Sequence, residues 1–154
     1  MKPLMENHVF VKDMIASLSC LIEAESAKNG IRALCRYYGG QLLYIPVSKT
    51  DGSSAEKIRG VLADEIGDGD AEKILEKIML FYGGLQLYIP LERTGFKEDI
   101  AREIYEIYDS THDTMNLLCR KYGFTFAQVY RCYYSELKRR RQEWEQKNQK
   151  ELFE

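Results

Sequence analysis

The chain has 154 residues, enough for one compact domain or two very small ones. Hydrophobic residues make up 45% and charged residues 30%, a balance that excludes wholesale disorder. The net charge of −2 hides an asymmetry: between positions 120 and 150 nine basic residues stand against three glutamates, so this segment is basic and the remainder acidic, as in chains that meet nucleic acid through one end.

Residues 9–25 place Phe10, Met14, Ile15, Leu18, Leu21 and Ile22 at helical spacing, which predicts one amphipathic helix. A second helix over 27–37 turns Ile31, Leu34 and Cys35 inward and ends at Gly39-Gly40. A strand over 41–45 follows, closed by Pro46, which has no amide to extend a ladder. Residues 48–54, containing Asp51-Gly52, read as a turn-rich connection. A helix over 55–66 then presents Ile58, Val61, Leu62 and Ile66 and stops at Gly67-Asp68-Gly69. Asp70 reads as the N-cap of a helix over 71–82, with Ile74, Leu75 and Ile78 on one face. Gly83-Gly84 breaks it, and a strand over 85–89 ends at Pro90.

One phrase is therefore written twice, Tyr38-Gly39-Gly40-Gln41-Leu42-Leu43-Tyr44-Ile45-Pro46 and Tyr82-Gly83-Gly84-Leu85-Gln86-Leu87-Tyr88-Ile89-Pro90. Ala27, Ile31 and Leu34 align with Ala71, Leu75 and Ile78, and helices over 55–66 and 96–108 follow the two strands. The pattern predicts a duplicated helix-strand-helix region. A lone strand leaves its amides and carbonyls unpaired, so the copies pair within one chain or each with its counterpart in a second chain. Either way the strand is an assembly device, and Leu43, Ile45, Leu87 and Ile89 are the expected dimerisation residues. Alternation puts Gln86 and Tyr88 together on the face opposite Leu87. Gln41 stands one place earlier than the position matching Gln86, which Leu42 occupies, and so points the other way.

Residues 115–134 carry the pattern of a helix-turn-helix. Leu118 faces the core, Cys119 is the small residue where two helices cross, and Gly123 supplies the left-handed turn. Phe124 is buried after the turn, Thr125 caps the second helix, and Val129 and Cys132 return to the core. The second helix is the reader. Thr125, Ala127, Gln128 and Arg131, with Tyr130 and Tyr134, face the major groove or its walls, while Lys138, Arg139 and Arg140, in a run that ends at Arg141, suit phosphates. Beyond Trp144 the chain is polar, and a fraying tail is expected.

Enzyme chemistry has little support: His8 and His112 stand apart, and the paired glycines terminate helices rather than cradle a nucleotide. Cys20, Cys35, Cys119 and Cys132 lack zinc-ligand spacing, so neither metal nor cofactor is expected, and free thiols fit a cytoplasmic protein. The opening Met1-Lys2-Pro3 leads into mixed polar and apolar residues, so no secretory leader is expected, and no stretch is apolar enough for a membrane.

The segment 122–131, preceded by Gly83-Gly84-Leu85-Gln86-Leu87-Tyr88-Ile89-Pro90, resembles the Mor/C family of phage Mu-type middle and late transcription activators, over roughly residues 71–141. The resemblance implies a homodimer, a linking strand, a C-terminal helix-turn-helix on double-stranded DNA, and recruitment of RNA polymerase in a bacterial, phage or prophage setting. It also implies that Gln86 and Tyr88 touch or distort DNA, with Gly83 as a hinge. The extra copy before this region departs from the family pattern and reads as assembly surface. The expected architecture is mainly α with short β-strands: a first copy over 1–66, a second helix-strand copy and linker over 67–95, and a DNA-binding domain over 96–154. The rival reading is an interaction module that regulates by pairing with a related activator or a polymerase subunit.

Overall fold

The structure, a computed structural model, describes residues 7–49 and 53–153. The turn expected at Asp51-Gly52 lies outside them. The chain divides into two compact units, Met1–Phe96 and Lys97–Glu154.

Unit 1 contains α1 (Asn7–Leu18), α2 (Ala24–Tyr38), β1 (Gln41–Tyr44), α3 (Ser53–Ile66), α4 (Asp68–Tyr82), β2 (Gln86–Ile89) and the single turn α5 (Glu92–Gly95). The fold is thus mainly helical with one small two-stranded sheet. The first helix is shorter than its apolar spacing predicts. The Ser17 hydroxyl donates to the Asp13 carbonyl and that of Ser19 to Ala16, and the Leu21 and Ile22 amides both turn back onto the Leu18 carbonyl. These local bonds offer the backbone an alternative to the next helical turn. Ile22 stays in the core while Leu21 is exposed. Asp70 is not an N-cap either: Gly67 alone separates α3 from α4, and Asp70 lies inside the first turn of α4, where its charge favours the helix dipole.

β1 and β2 pair with each other inside the chain, antiparallel, with Gln41 opposite Ile89, Leu42 opposite Tyr88, Leu43 opposite Leu87 and Tyr44 opposite Gln86. The repeated phrase explains how. The Gly40 amide donates to the Ile89 carbonyl and the Gly84 amide to the Ile45 carbonyl, each at 2.8 Å, so each copy closes the ladder of the other. Gly40 and Gly84 have φ of 80° and 83°, the left-handed region that glycine occupies without steric penalty.

The elements follow the expected order, with a helix on either side of each strand in the chain, and two helices precede each strand, α1-α2-β1 and α3-α4-β2. The helix assigned above to the end of the first copy, α3, packs on α4 and also covers α2, and α6 lies in unit 2. Ile45 and Ile89, each 1% exposed, join Ile31, Leu34, Leu62, Ile74 and Ile78 in a single core, and Leu43 and Leu87 pack half-buried against it. The contacts assigned to dimerisation are therefore used within one chain.

Unit 2 contains α6 (Lys97–Ile107), α7 (His112–Tyr122) and α8 (Phe126–Phe153). Ile100, Ile104, Met115, Leu118 and Val129 form its core, with Tyr122, Phe124, Cys132 and Tyr133 packed around them. The tail expected to fray is helical: α8 runs 28 residues, about 42 Å at the α-helical rise. Its outer half is rich in Lys, Arg, Glu and Gln, which are strong helix formers, and Arg139 pairs with Glu143 one turn on.

Candidate nucleic-acid interface

The connection into α7 is held by one carboxylate. Asp109 accepts from the Thr111 amide at 3.0 Å, the Thr111 hydroxyl at 2.6 Å and the Thr114 hydroxyl, while Ser110 between them sits at φ 71°. These hydrogen bonds, those of Thr111 first, hold the Asp109 carboxyl down at about 2. Thr111 in turn accepts from the Thr114 amide and caps α7.

At the other end of α7, Gly123 has φ 67° and ψ 33°, and both its amide and that of Phe124 donate to the Cys119 carbonyl. The chain then starts α8 with a reciprocal cap: the Gln128 amide donates to Thr125 Oγ1 at 3.2 Å, and the Thr125 amide donates to Gln128 Oε1 at 2.9 Å. The sequence reading of Thr125 holds in this local sense, but it misses the partner. Gln128, expected to face the groove, commits its side-chain oxygen to the helix start.

Beyond the cap, α8 has two faces. Val129 and Glu136 are buried, and Cys132, Tyr133 and Arg140 flank them half-buried. On the opposite side Ala127, Arg131, Tyr134, Lys138 and Arg141 recur at alternating steps of four and three, and all are exposed. Arg131, Lys138 and Arg141 make no ion pair among the described residues. Arg139 and Arg140 differ. Arg139 holds Glu136 at 2.7 Å and also pairs with Glu143, and Arg140 holds Glu136 at 2.9 Å with its guanidinium 4.2 Å from the Tyr105 ring centroid. Hydrogen bonding from Arg139, then from Arg140, keeps the buried Glu136 carboxyl below its ordinary value against the pull of burial. Arg139 and Arg140 are thus tied to the fold, and Lys138 and Arg141, the two ends of the run read as suited to phosphates, lie on the open face.

Tyr130 and Tyr134, expected beside the groove, belong to an aromatic cluster. Their rings stack at 6.3 Å, Tyr130 meets Tyr108 edge-on at 6.0 Å, and Tyr133 stacks on Tyr105 at 5.3 Å. A hydrogen bond with Tyr130, reinforced by burial, raises the Tyr108 hydroxyl to about 12. The sequence reading missed Tyr105 and Tyr108. The signal was their helical spacing of three opposite a tyrosine-rich helix.

On the ribbon of unit 1, Leu42, Tyr44, Gln86 and Tyr88 share the outer face, with Gln86 exposed and Tyr88 half-buried. Gly83, the expected hinge, is not the residue with the positive torsion. Its φ is −53°, and the positive torsion falls at Gly84. A Cβ at Gly83 would stand 2.5 Å from the Met79 carbonyl oxygen and 3.4 Å from that of Pro46, so this position is glycine because backbones approach closely there. Among the described residues no helix is long and apolar enough to cross a membrane.

A capped two-helix turn with a row of open cations on its second helix follows a Gly-Gly strand ending in Ile-Pro. A sequence model of the Mor transcription activator family matches residues 49–152. The chain belongs to that family. It is, at that level, a transcription regulator. Searches among curated proteins and among solved structures return no match. The family span takes in α3, α4, β2, α5, α6, α7 and all but the last residue of α8, and leaves α1, α2 and β1 outside.

Proposed function

We propose that the protein is a sequence-specific DNA-binding activator in which α7, the Gly123 turn and α8 form a helix-turn-helix and α8 is the reading helix. The observation that carries this reading is the exposed stripe Ala127, Arg131, Tyr134, Lys138 and Arg141, whose three cations have no carboxylate partner among the described residues while the other two arginines of the same run are paired. A helix that merely packs has no need to segregate its cations this way. Arg131, near the N-terminal turns, is positioned to fork onto a guanine edge, and Lys138 and Arg141 to meet phosphates. Thr125 and Gln128 hold the start of the helix, with the side-chain Nε2 of Gln128 left to donate. Gln86 and Tyr88 would add a contact in the minor groove, where deformation of the duplex contributes specificity. RNA polymerase is the partner that family membership supports. For the homodimer the family suggests, contacts other than Ile45 and Ile89 would be needed.

The experiment is selection of bound duplexes from a random pool, followed by gel shift with a salt titration. A recovered motif bound with a steep loss of affinity as salt rises supports the reading. Absence of any enriched duplex, together with salt-insensitive capture of a polymerase subunit or a related activator, favours the interaction-module reading instead.

A further inference from the structure

The two halves of unit 1 occupy equivalent places, yet they are not interchangeable. The repeat spacing is 44 residues, from Tyr38 to Tyr82, so Gly30 of α2 corresponds to Ile74 of α4. These two positions meet each other: a Cβ on Gly30 would stand 2.6 Å from Ile74 Cδ1 and 3.1 Å from Ile66 Cδ1. One half supplies a notch and the other the side chain that fills it.

Charge divides in the same sense. Glu92, after β2, accepts from Arg32 Nε at 2.7 Å and Arg36 Nη2 at 3.2 Å, with the Arg32 and Glu92 side chains only 12% and 21% exposed. Lys49, after β1, pairs with Glu72 and Glu76. Under the repeat, Glu72 and Glu76 correspond to Lys28 and Arg32, so α2 is basic where α4 is acidic. Burial works to raise the Glu92 carboxyl, and its bonds to Arg36 and Arg32 outweigh that and hold it low.

We propose that the two halves accept each other and refuse a copy of themselves, so that the ribbon is closed within one chain and offers no strand-mediated contact to a second copy. A pair of first halves would set Lys49 against Lys28 and Arg32 and leave a void between two Gly30 positions. A pair of second halves would force two Ile74 side chains into one place and set Glu92 against Glu76. Arg93 in the Lys49 position would still find Glu72 and Glu76, so the second pairing is blocked by size more than by charge. One consequence rests on the DNA-binding reading: each closed ribbon carries a single reading helix, and its outer face is asymmetric, with Leu42 where the other half has Gln86. Such a chain suits a recognition sequence without two-fold symmetry.

The test uses the full chain. Wild type is expected to sediment as a monomer at micromolar concentration. L42C/Y88C, which joins two opposed ribbon positions, is expected to oxidise to a disulfide within one chain, with L42C and Y88C alone as controls for the native thiols. E92R is expected to melt several degrees below wild type, and R32E/R36E/E92R to recover most of that loss. A wild-type dimer whose L42C/Y88C form migrates as a covalent dimer overturns closure. An E92R that melts like wild type, or a triple variant with no recovery, overturns the charge code. None of these readouts involves DNA, so a monomeric chain that binds no duplex overturns the DNA-binding reading and leaves the closure standing.

Discussion

Charged groups of unit 1 answer one another across its two halves, Glu92 with Arg32 and Arg36, Lys49 with Glu72 and Glu76. In unit 2 charge is sorted by helix face instead: Glu136 collects Arg139 and Arg140 on the inner side of α8, and Arg131, Lys138 and Arg141 stand open on the outer side. Both units have a small aliphatic core and a mixed-charge surface, so composition does not separate them. What separates them is how the paired and open cations are arranged, and under the DNA-binding reading proposed above unit 1 would be the scaffold and unit 2 the contact surface.

The strongest way to break that contrast is through the core of unit 1. Ile89→Ala removes a side chain that is 1% exposed and anchors the ribbon, and it should cost about 2–5 kcal/mol of stability. Chemical denaturation measures it. If the loss stays below about 1 kcal/mol, the ribbon is not part of the core and the scaffold assignment is wrong.

The next effect should appear in unit 2 as binding without stability. Arg131→Ala should weaken the selected duplex by about 1–3 kcal/mol and relax base preference at one position, with an unchanged melting temperature because the guanidinium pairs with no carboxylate among the described residues. A fall in melting temperature would show that Arg131 helps hold the fold, which would erase the distinction from its neighbours.

Those neighbours sharpen the comparison at smaller amplitude. Lys138→Ala and Arg141→Ala should each lower the salt dependence of binding by about one unit of slope, for every sequence alike. Arg139→Ala should leave the slope nearly unchanged and lower the melting temperature, because Glu136, 3% exposed, loses its closest cation. Salt-titrated gel shifts beside thermal melts distinguish the two classes. A reversed outcome would mean that α8 is rotated relative to the DNA.

Much of this contrast was legible in the residues, and its gaps have physical causes. The Tyr-Gly-Gly to Ile-Pro phrase announced the strands because a helix stop, a short alternating run and a missing amide leave few alternatives. Whether the strands met within or between chains could not follow from it, since both arrangements satisfy the same backbone groups. The break after Leu18 was hidden because Leu21 and Ile22 continue the helical period, and only the serine hydroxyls, whose bonds depend on the fold, interrupt it. The reciprocal cap was readable as Thr125-x-x-Gln128, but a glutamine on a reading helix also fits base contact, and composition does not rank the two. Four consecutive cations, Lys138 to Arg141, look alike in sequence. Which of them stay open depends on the buried Glu136, which holds Arg139 and Arg140, and on the Glu143 and Tyr105 side chains beside them.

The smallest predicted effect concerns the turn that sets α7. The folded Asp109 carboxyl lies at about 2, below its ordinary 3.8, because Thr111 and Thr114 donate to the charged form. A lowered value means that the ionised group stabilises the fold above pH 4, and that this contribution disappears as pH falls from about 4 to 2. Asp109→Asn keeps an acceptor oxygen and loses the charge, so it should melt slightly below wild type at pH 6 and converge with it near pH 2. All other carboxylates titrate in both proteins, so the difference between the two curves reports this one group. Because the site is exposed, the gap should be small and should shrink as salt is raised. A gap that persists at pH 2 would mean that the amide disturbs the turn through shape, with Ser110 at φ 71° as the strained residue beside it, and not through charge.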